Sequence, residues 1–547
     1  MKQLFYRLGA AVLALLCGNQ LFADDLTTVQ AVPANDFLNS IGVNTSINTR
    51  GESYIRTKEC AEYLGFRWIR AGAPSYFWQF KELYDEFHIR FSCSLGTVND
   101  IDATVRGGRE IVEIAPDALI AFEGCNEPNN WGIIYNGEKA GGFPEGSYPY
   151  LPLAKYMRDF CKAVKADPVV KDYPVWSVTD AGGAQYPNVG LQFLTVPEGV
   201  ERNGDKGLDP EIKEGDVLAD VACVHNYFSG LSPNTNNQTW RASNRMDANS
   251  LKSNFGLTWN KGYKGYSDEE LMQLRCVTTE TGTTISERVT EEYQGLTYLS
   301  CYLAQFAQGF EYTAMYIMRD RTDEGGNQTF GFYAGNYKPR LAAHYLHNLT
   351  GVLADYPSIE NPGELAYSYS SKPVTVHDLL LQKNDGTFFL VVWGEKYLPQ
   401  AVAEDVTITF EESVEKINVY MPAQYDDNDP GKGVMPVRSE TGNVITLSML
   451  NRPYILEINP KGTGIDVVKT GLNSSSAVYV YDNRLHVSGA PELTKVDIYD
   501  LTGKNVFQQT NRTEISDFDI ARLPKGSYVV RLTQTGNRVE NHRIVRY

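Results

Sequence analysis

Between about residues 38 and 355 the chain alternates repeatedly between two kinds of sequence pattern. Short apolar stretches typical of buried strands occur eight times, and stretches with the apolar period of a helix separate most of them. Strands that alternate with helices of this length pair in parallel. Eight such units span slightly more than the ~250 residues of a typical (β/α)8 barrel. We therefore predict an α/β fold, a TIM barrel over residues 24–355.

The predicted elements have boundaries that can be compared with a structure. The eight strands are predicted at 40–44, 66–70, 89–95, 118–127, 175–178, 221–225, 275–280 and 311–318. Helices are predicted at 56–64, 75–87, 101–114, from about 153, and at 289–308 and 340–353. Gly65 is expected to end the first of these helices, because glycine is favoured just past a helix C-terminus. In TIM barrels the functional side chains lie at the carboxyl ends of the strands.

Two glutamates stand at such strand ends. The fourth strand stops at Asn126-Glu127-Pro128, because proline cannot donate to a sheet. Glu280 follows a run of β-branched residues and precedes Gly282. Glycoside hydrolysis needs two carboxyl groups, one to protonate the leaving oxygen and one to attack the anomeric carbon or activate a water. Either glutamate alone is more often a solvated loop charge, but the pair on one barrel predicts a catalytic site.

Composition excludes several classes of function. The formal net charge of −17 leaves no basic footprint for nucleic acid or anionic membranes. The seven cysteines after residue 23 fall inside predicted strands or helices, which indicates small buried side chains and not a disulfide framework. With no C-x-x-C or histidine cluster, we predict no metal and no cofactor. The acidic turn at 425–431 leaves calcium binding open, although an exposed turn is the commoner use of such a sequence.

The two ends of the chain are predicted to concern export. Lys2 and Arg7 precede an apolar run, Leu8 to Cys17, that is too short to span a bilayer, so residues 1–23 are expected to be a signal peptide. No other long apolar run is present, which predicts no membrane span.

Residues 356–461 have the strand spacing of an antiparallel β-sandwich. After a linker, residues 462–547 contain a smaller all-β unit.

Two long connections are rich in aromatic residues. One follows Glu127 and runs to Tyr150, and the other follows His225 and runs through Trp240 to Tyr263. Long structureless loops are usually functional or disordered, and disordered segments contain few aromatic residues. We predict that both loops form walls of a substrate cleft, the alternative being that they pack against the barrel rim.

The strand-end residues of the predicted barrel resemble those of clan A, the large clan of retaining β-glycosidases with TIM barrels. In that clan an Asn-Glu pair closes the fourth strand and a second glutamate closes the seventh, which here match Asn126, Glu127 and Glu280. Arg70 matches the clan's arginine near the nucleophile, and His225 and Tyr227 match its His-x-Tyr motif. Many members carry a tryptophan after the eighth strand, whereas this chain has Tyr316-Ile-Met-Arg319 there.

The resemblance implies a role for each matched residue. Glu280 is the expected nucleophile, held by Tyr227 and Arg70. Glu127 is the expected acid and then base, with a pKa raised by apolar surroundings. Asn126 is expected to bind the sugar 2-hydroxyl. For His225, a site contact and a buried hydrogen bond to backbone both stay open. Retention of configuration implies carboxyl groups about 5–5.5 Å apart.

The C-terminal segment is similar to the sorting domain of type IX secretion in Bacteroidota. The similarity lies in Tyr-Asp-Leu-Thr-Gly-Lys at 499–504 and Leu-Pro-Lys-Gly-Ser-Tyr-Val-Val at 523–530. It implies that the type IX machinery is a partner and that the protein reaches the cell surface or the medium. The alternative is a simple accessory β-domain.

Together these expectations describe a secreted glycoside hydrolase that cleaves β-glycosidic bonds of a polysaccharide or oligosaccharide with retention. The rival interpretation is a non-catalytic carbohydrate-binding or adhesion protein built on a degenerate barrel. Degenerate barrels usually lose one carboxylate, and both are present here. Endo-acting and exo-acting cleavage both stay open.

Overall fold

The computed structural model of this protein describes nineteen stretches of the chain: residues 26–71, 77–93, 100–179, 193–196, 211–225, 227, 273–287, 289–373, 375–394, 402–411, 414–429, 431–460, 477–481, 484–488, 493–500, 504–510, 517–524, 526–535 and 539–546. The predicted signal peptide, most of the loop after His225 and the linker at 462–476 lie outside the described residues. The chain divides into two compact units, residues 1–461 and 462–547.

Eight parallel strands form one sheet in the first unit. They are β1 (Ile41–Asn44), β2 (Trp68–Ala71), β3 (Arg90–Cys93), β4 (Leu119–Glu123), β5 (Val175–Trp176), β6 (Ala222–His225), β7 (Cys276–Thr281) and β8 (Phe310–Met315). Their order in the sheet is β5-β4-β3-β2-β1-β8-β7-β6. A parallel bridge between Trp176 and Val221 joins β5 to the residue before β6 and closes the barrel. The predicted TIM-barrel fold is confirmed.

Seven α-helices are described in this unit. They are α1 (Ala34–Ser40), α2 (Tyr54–Leu64), α3 (Phe77–Phe87), α4 (Ile101–Ile114), α5 (Leu151–Ala166), α6 (Glu291–Ala307) and α7 (Leu341–Leu353). Local signals set several ends. The Ser53 side chain accepts from the N–H of Arg56 at the start of α2, and Gly65 ends that helix with a left-handed φ of 69°. A serine cap of this kind stabilises a helix by about 1 kcal/mol.

The barrel interior is filled by large side chains at the amino ends of the strands. Trp68 and Trp176 are fully buried, with ring centroids 5.9 Å apart. Gly42 on β1 is required beside them, because a Cβ there would lie 2.1 Å from the Trp68 ring. Side chains two residues apart on a strand share a face. Arg70 therefore also points inward, one layer closer to the carboxyl end of the barrel.

A β-sandwich follows the barrel within the same unit. Its four-stranded sheet contains Thr27–Gln30, Glu364–Tyr369, Glu404–Phe410 and Val444–Met449. Its six-stranded sheet contains Arg438–Thr441, Val414–Tyr420, Tyr454–Pro460, Phe388–Gly394, Val376–Gln382 and Val32–Pro33. Two of these strands precede the barrel, so assigning every residue of 24–355 to the barrel was wrong for residues 27–33. Their partners lie more than 300 residues away, and no local pattern reveals such pairing.

The connection after Glu127 is ordered as a small antiparallel sheet of Ile133–Tyr135, Glu138–Phe143 and Gly146–Tyr148. Gly141, on the middle strand of this sheet, lies directly against the Glu127 motif. This glycine has a φ of 84°, and a Cβ on it would lie 2.0 Å from the carbonyl oxygen of Pro128. The turn can therefore fold back tightly over the residues that follow the Glu127 motif.

The second unit contains two antiparallel β-sheets among its described residues. One sheet contains Ala477–Tyr481, Arg484–Ser488 and Asp517–Asp519. The other contains Asn505–Thr510, Leu493–Tyr499, Gly526–Gln534 and Val539–Arg546. This unit has its own apolar core, which includes Leu485, Val496, Ile498 and Val530. In the parts of the chain that the structure describes, no helix combines the length and apolarity needed to cross a membrane.

The described cysteines agree with their predicted role. All seven are buried: Cys60, Cys93, Cys125, Cys161, Cys223, Cys276 and Cys301. They serve as small apolar side chains in the barrel and its helical layer.

Candidate active site

Arg70, near the carboxyl end of β2, is the centre of a hydrogen-bond network. Its Nε lies 2.9 Å from both carboxylate oxygens of Glu123, and its Nη2 donates to Oδ1 of Asn126 over 2.7 Å. Its Nη1 donates to Oε1 of Glu280. Burial alone would lower the pKa of Arg70, but the two carboxylates outweigh it and raise that pKa. The guanidinium is therefore a permanent cation that fixes Glu123 on β4, Asn126 just after β4, and Glu280 on β7.

Glu280 lies on β7 with both carboxylate oxygens bonded. Arg70 serves Oε1, and the hydroxyl of Tyr227 donates to Oε2 over 2.6 Å. Burial, with the neighbouring Glu280 carboxylate, raises the pKa of Tyr227 well above its usual range. Tyr227 therefore stays protonated at neutral pH and donates a hydrogen bond to Glu280, so the carboxylate is held between two donors.

Glu127 lies four residues after the end of β4. Its backbone conformation is one that residues other than glycine seldom adopt. Its φ is +41°, and its N–H donates to the carbonyl of Thr179 over 3.1 Å. Asn126 forms a parallel bridge with the same Thr179. These contacts continue the β4–β5 pairing beyond both strands. They set the Glu127 side chain at the mouth of the barrel beside Glu280.

The Glu127 carboxylate contacts a different set of partners. Its Oε1 lies 2.9 Å from Nδ1 of His225, and its Oε2 accepts from Asn130 over 3.0 Å. Burial raises the pKa of Glu127, but His225, Asn130 and the charge of Arg70 together lower it below its usual 4.5. The expectation of a raised pKa for Glu127 was therefore wrong, because polar partners outweigh the apolar surroundings.

His225, fully buried at the end of β6, lies between the two glutamates. Besides Glu127, its Nδ1 is 3.5 Å from Oε2 of Glu280. Its Nε2 lies 3.1 Å from the hydroxyl of Thr279, and that hydroxyl is 3.1 Å from Oε1 of Glu123. Of the two interpretations left open for His225, the structure places it in contact with the site.

The structure thus brings together all six residues that the sequence predicted for the site: Arg70, Asn126, Glu127, His225, Tyr227 and Glu280. Sequence reasoning missed Glu123 and Thr279, which connect them from below. A signal was present for Glu123, since an acidic residue inside a continuous apolar strand is rarely buried without a partner. Thr279 gave none, because β-branched residues are common in strands.

An aromatic wall stands beside Glu280. The Tyr227 ring packs edge-on against Tyr316 at 6.0 Å and against Phe330 at 5.6 Å. Tyr316 directly follows β8. Trp131 follows the Glu127 motif and is 60% exposed, and its N–H donates to the carbonyl of Glu127 over 2.8 Å. Both positions offer aromatic surface around the site.

The two carboxylates are close to each other. One oxygen of Glu127, one of Glu280 and a ring nitrogen of His225 all lie within 4.8 Å of one another. Such a group is close enough to hold a metal ion. However, both carboxylates already accept hydrogen bonds from protein donors. The cation that contacts Glu280 is the guanidinium of Arg70. We therefore assign no metal to this group and treat it as a hydrogen-bonded pair of carboxyl groups.

Comparison with known families identifies the second unit. Residues 481–546 match the secretion system C-terminal sorting domain. This confirms the predicted similarity to the type IX sorting domain, and it indicates export to the cell surface or secretion. A search of curated proteins found no match to the chain.

Solved structures similar to the chain include three glycoside hydrolases. A family 39 glycoside hydrolase from the gut symbiont Bacteroides cellulosilyticus WH2 is 15% identical, with a TM-score of 0.46, over 78% of this chain and 82% of that one. The GH51 arabinofuranosidase from Xanthomonas axonopodis pv. citri is 11% identical, with a TM-score of 0.46, over 80% and 100%. The family 51 α-L-arabinofuranosidase AbfB from Bifidobacterium longum is 10% identical, with a TM-score of 0.46, over 79% and 98%.

Proposed function

We propose that this protein is a secreted glycoside hydrolase that cleaves β-glycosidic bonds with retention of configuration. Glu280 is the nucleophile and Glu127 is the acid and base. The observation that carries this proposal is the pairing of two carboxylates at the mouth of one barrel with different partners. Glu280 is held by Arg70 and Tyr227, whereas Glu127 contacts His225 and Asn130.

The separation of the carboxylates supports retention. Retaining glycosidases place the two groups about 5–5.5 Å apart, whereas inverting enzymes need about 6.5–9.5 Å to admit a water. Here a carboxylate oxygen of Glu127 lies within 4.8 Å of one of Glu280. That gap leaves no room for a water between Glu280 and the anomeric carbon, so direct attack by the carboxylate is favoured.

The partners of each carboxylate fit its proposed role. Two donors hold and orient the Glu280 carboxylate, which suits a nucleophile that forms a bond to the anomeric carbon. Glu127 donates a proton to the leaving oxygen in the first step and removes one from water in the second. Asn126 is fixed by Arg70, next to both carboxylates, and is proposed to bind the 2-hydroxyl of the sugar. We propose a polysaccharide or oligosaccharide as the substrate class.

Separate removal of the two carboxylates tests the proposal. Glu280→Ala should abolish turnover of every substrate, because no covalent intermediate forms. Added azide should restore turnover and give a glycosyl azide of inverted configuration. Glu127→Ala should still react with an activated aryl glycoside, whose leaving group needs no proton. Its second step should slow by about 10²–10⁴-fold, the usual contribution of a general base, and azide should release a product of retained configuration.

A matched control is Glu311→Ala. Glu311 lies near the amino end of β8, away from the site, and pairs with Arg275 over 2.6 Å. This variant should keep wild-type rates. If both Glu127→Ala and Glu280→Ala kept near-normal rates on the true substrate, neither glutamate would be catalytic, and a carbohydrate-binding protein would become the better interpretation.

A further inference from the structure

Beneath the two proposed catalytic glutamates lies a third carboxylate, Glu123, whose side chain is fully buried at the end of β4. The Nε of Arg70 contacts both of its oxygens at 2.9 Å, and Nη2 lies 2.7 Å from Oε1. A guanidinium carries only donors. Glu123 therefore acts as a hydrogen-bond acceptor in this network.

The carboxylate of Glu123 determines the direction in which the Thr279 hydroxyl donates its proton. Its oxygen lies 3.1 Å from Oε1 of Glu123. A hydroxyl has one proton to donate and a carboxylate has none, so Thr279 donates to Glu123. The Thr279 oxygen can then only accept from Nε2 of His225, which lies 3.1 Å away. It follows that Nε2 carries a proton. The thiol of Cys223, 3.2 Å from the same oxygen, fits this arrangement as a second donor.

The other nitrogen of the same ring, Nδ1, faces Oε1 of Glu127 at 2.9 Å. Because Nε2 is already protonated, a hydrogen bond between Nδ1 of His225 and Oε1 of Glu127 requires one further proton. That proton lies either on Glu127, beside a neutral imidazole, or on Nδ1, beside a carboxylate. If His225 and Glu127 lose this shared proton, the lone pair of Nδ1 faces the carboxylate oxygen directly. Among the described residues, the other titratable groups near His225 are Cys223 and Glu280, whose Oε2 lies 3.5 Å from Nδ1. The hydroxyl of Tyr227 donates to that same Oε2, and Arg70 lies beyond Glu280.

We propose that Glu123 and Thr279 are positioning residues that hold His225 with a proton on Nε2, so that His225 and Glu127 share one transferable proton. The catalytic consequence rests on the proposed function, whereas the proton arrangement follows from the hydrogen bonds alone. Without the Thr279 oxygen, a neutral His225 is free to place its single proton on Nδ1. It then stabilises the ionised form of Glu127, which can no longer act as an acid.

In the reaction, the shared proton passes to the leaving oxygen as the glycosidic bond breaks and Glu280 bonds to the anomeric carbon. The pair is left with a bare Nδ1 against the Glu127 carboxylate. In the second step, water bonds to the anomeric carbon, the bond to Glu280 breaks, and a proton of the water returns to the pair. The close contact between the bare Nδ1 and the carboxylate oxygen is unfavourable, so it favours return of a proton to the pair.

The nitrogen spectrum of His225 tests the proposal without any substrate. The chain has seven histidines, so a ¹⁵N-histidine sample is tractable, and the His225→Asn variant assigns the signals. Wild-type protein should show a protonated Nε2 at every pH where the fold persists. A neutral His225 with its proton on Nδ1 in the wild type would overturn the proposal. In Thr279→Val, the proton of neutral His225 should move to Nδ1.

Thr278→Val is the matched control, because Thr278 is the preceding residue on β7, is fully buried, and its hydroxyl has no hydrogen-bond partner among the described residues. It should leave the His225 spectrum unchanged, and Thr279→Ser should preserve the wild-type pattern. A Thr279→Val spectrum like that of wild type would count against the role of Thr279, and the wild-type spectrum decides the tautomer even if Thr279→Val does not fold.

Kinetics provide the second measurement. The basic limb of kcat/KM should move to lower pH by about one unit in Thr279→Val, which corresponds to one lost hydrogen bond to a charged group. Thr278→Val should not move it, and an unmoved limb in Thr279→Val would contradict the catalytic part of the inference. Failure of the proposed function would show in the Glu280→Ala rates, whereas failure of this inference would show in the His225 spectrum.

Discussion

The hydroxyl of Tyr227 donates to Oε2 of Glu280 over 2.6 Å, while Arg70 donates to the other oxygen. The carboxylate is thus held by one neutral and one charged donor that come from different strand ends. Because the Tyr227 ring is itself packed against Tyr316 and Phe330, its hydroxyl has a fixed direction. The orientation of the proposed nucleophile therefore depends on aromatic packing as well as on charge.

Tyr227→Phe should slow formation of the glycosyl-enzyme. The variant keeps the ring packing and removes only the hydroxyl. A hydrogen bond to a charged group contributes about 1.5–3 kcal/mol, so the rate of the first step should fall by about 10–100-fold. Rapid-mixing measurement of the aryl-glycoside burst checks this.

Tyr302→Phe is the control for loss of a buried tyrosine hydroxyl. Tyr302 donates to the carbonyl of Gly42 over 2.7 Å, within the barrel wall and away from both glutamates. It should lose stability while keeping the burst rate. Equal burst rates in wild type and Tyr227→Phe would show that this hydroxyl does not assist the nucleophile.

Stability should fall on acidification partly through His344. This histidine on α7 stacks on Tyr425 of the sandwich with ring centroids 3.5 Å apart, and its Nδ1 contacts the hydroxyl of Tyr63 at 2.7 Å. Burial, assisted by nearby His347, lowers the pKa of His344 from 6.5 to about 4. The folded-state pKa is below that of the unfolded chain, so the stabilisation is present above pH 6.5 and is lost as pH falls towards 4.

His344→Phe keeps an aromatic ring on Tyr425 and cannot titrate. The drop in unfolding free energy between pH 7 and pH 4 should be smaller in this variant by about 1–3 kcal/mol. Urea unfolding at several pH values measures it. Tyr63→Phe removes the same hydrogen bond but keeps the histidine, so it should retain the wild-type pH dependence. An unchanged pH dependence in His344→Phe would show that this group does not contribute.

The described cysteines should be inert in the native protein. Burial raises the pKa of Cys60, Cys93 and Cys125 to about 12, so almost no thiolate is present at pH 8. An aromatic disulfide reagent at pH 8 should release no colour from native protein and should react fully after denaturation. Val402→Cys is a positive control, because Val402 is 76% exposed. Rapid reaction of the wild type would contradict the buried arrangement.

The sequence predicted the barrel well because its signals are local. Helix α4 was predicted at its observed bounds, since Asp100 caps its start and its apolar stripe is regular. The site residues could be found because each follows a strand, and parallel strands bring their carboxyl ends to one face. The bonds of Arg70 to β4 and β7 are the physical form of that rule.

Features that depend on distant partners could not be predicted in the same way. Val32–Pro33 pairs in parallel with Leu381 and Gln382, and no local pattern marks such a contact. The lowered pKa of Glu127 depends on the orientation of the His225 ring, which is set by Thr279 on another strand. A pattern of strand ends locates charged residues but does not say which polar groups face them.

The last prediction concerns residues 462–547, which form a separate compact unit with its own core and contain the match to the sorting domain. A chain that ends at residue 461 should keep its activity and thermal unfolding, because the barrel, the sandwich and all six site residues precede that point. It should not reach the cell surface or the medium, since the signal read by the secretion machinery is gone. Cell fractionation and activity assays of the purified truncation measure the two effects separately.

Replacing 462–547 with an unrelated β-domain of similar size controls for chain length and should also abolish delivery. Normal delivery of the truncated chain would show that another segment directs export, while loss of activity would show that the barrel depends on the second unit.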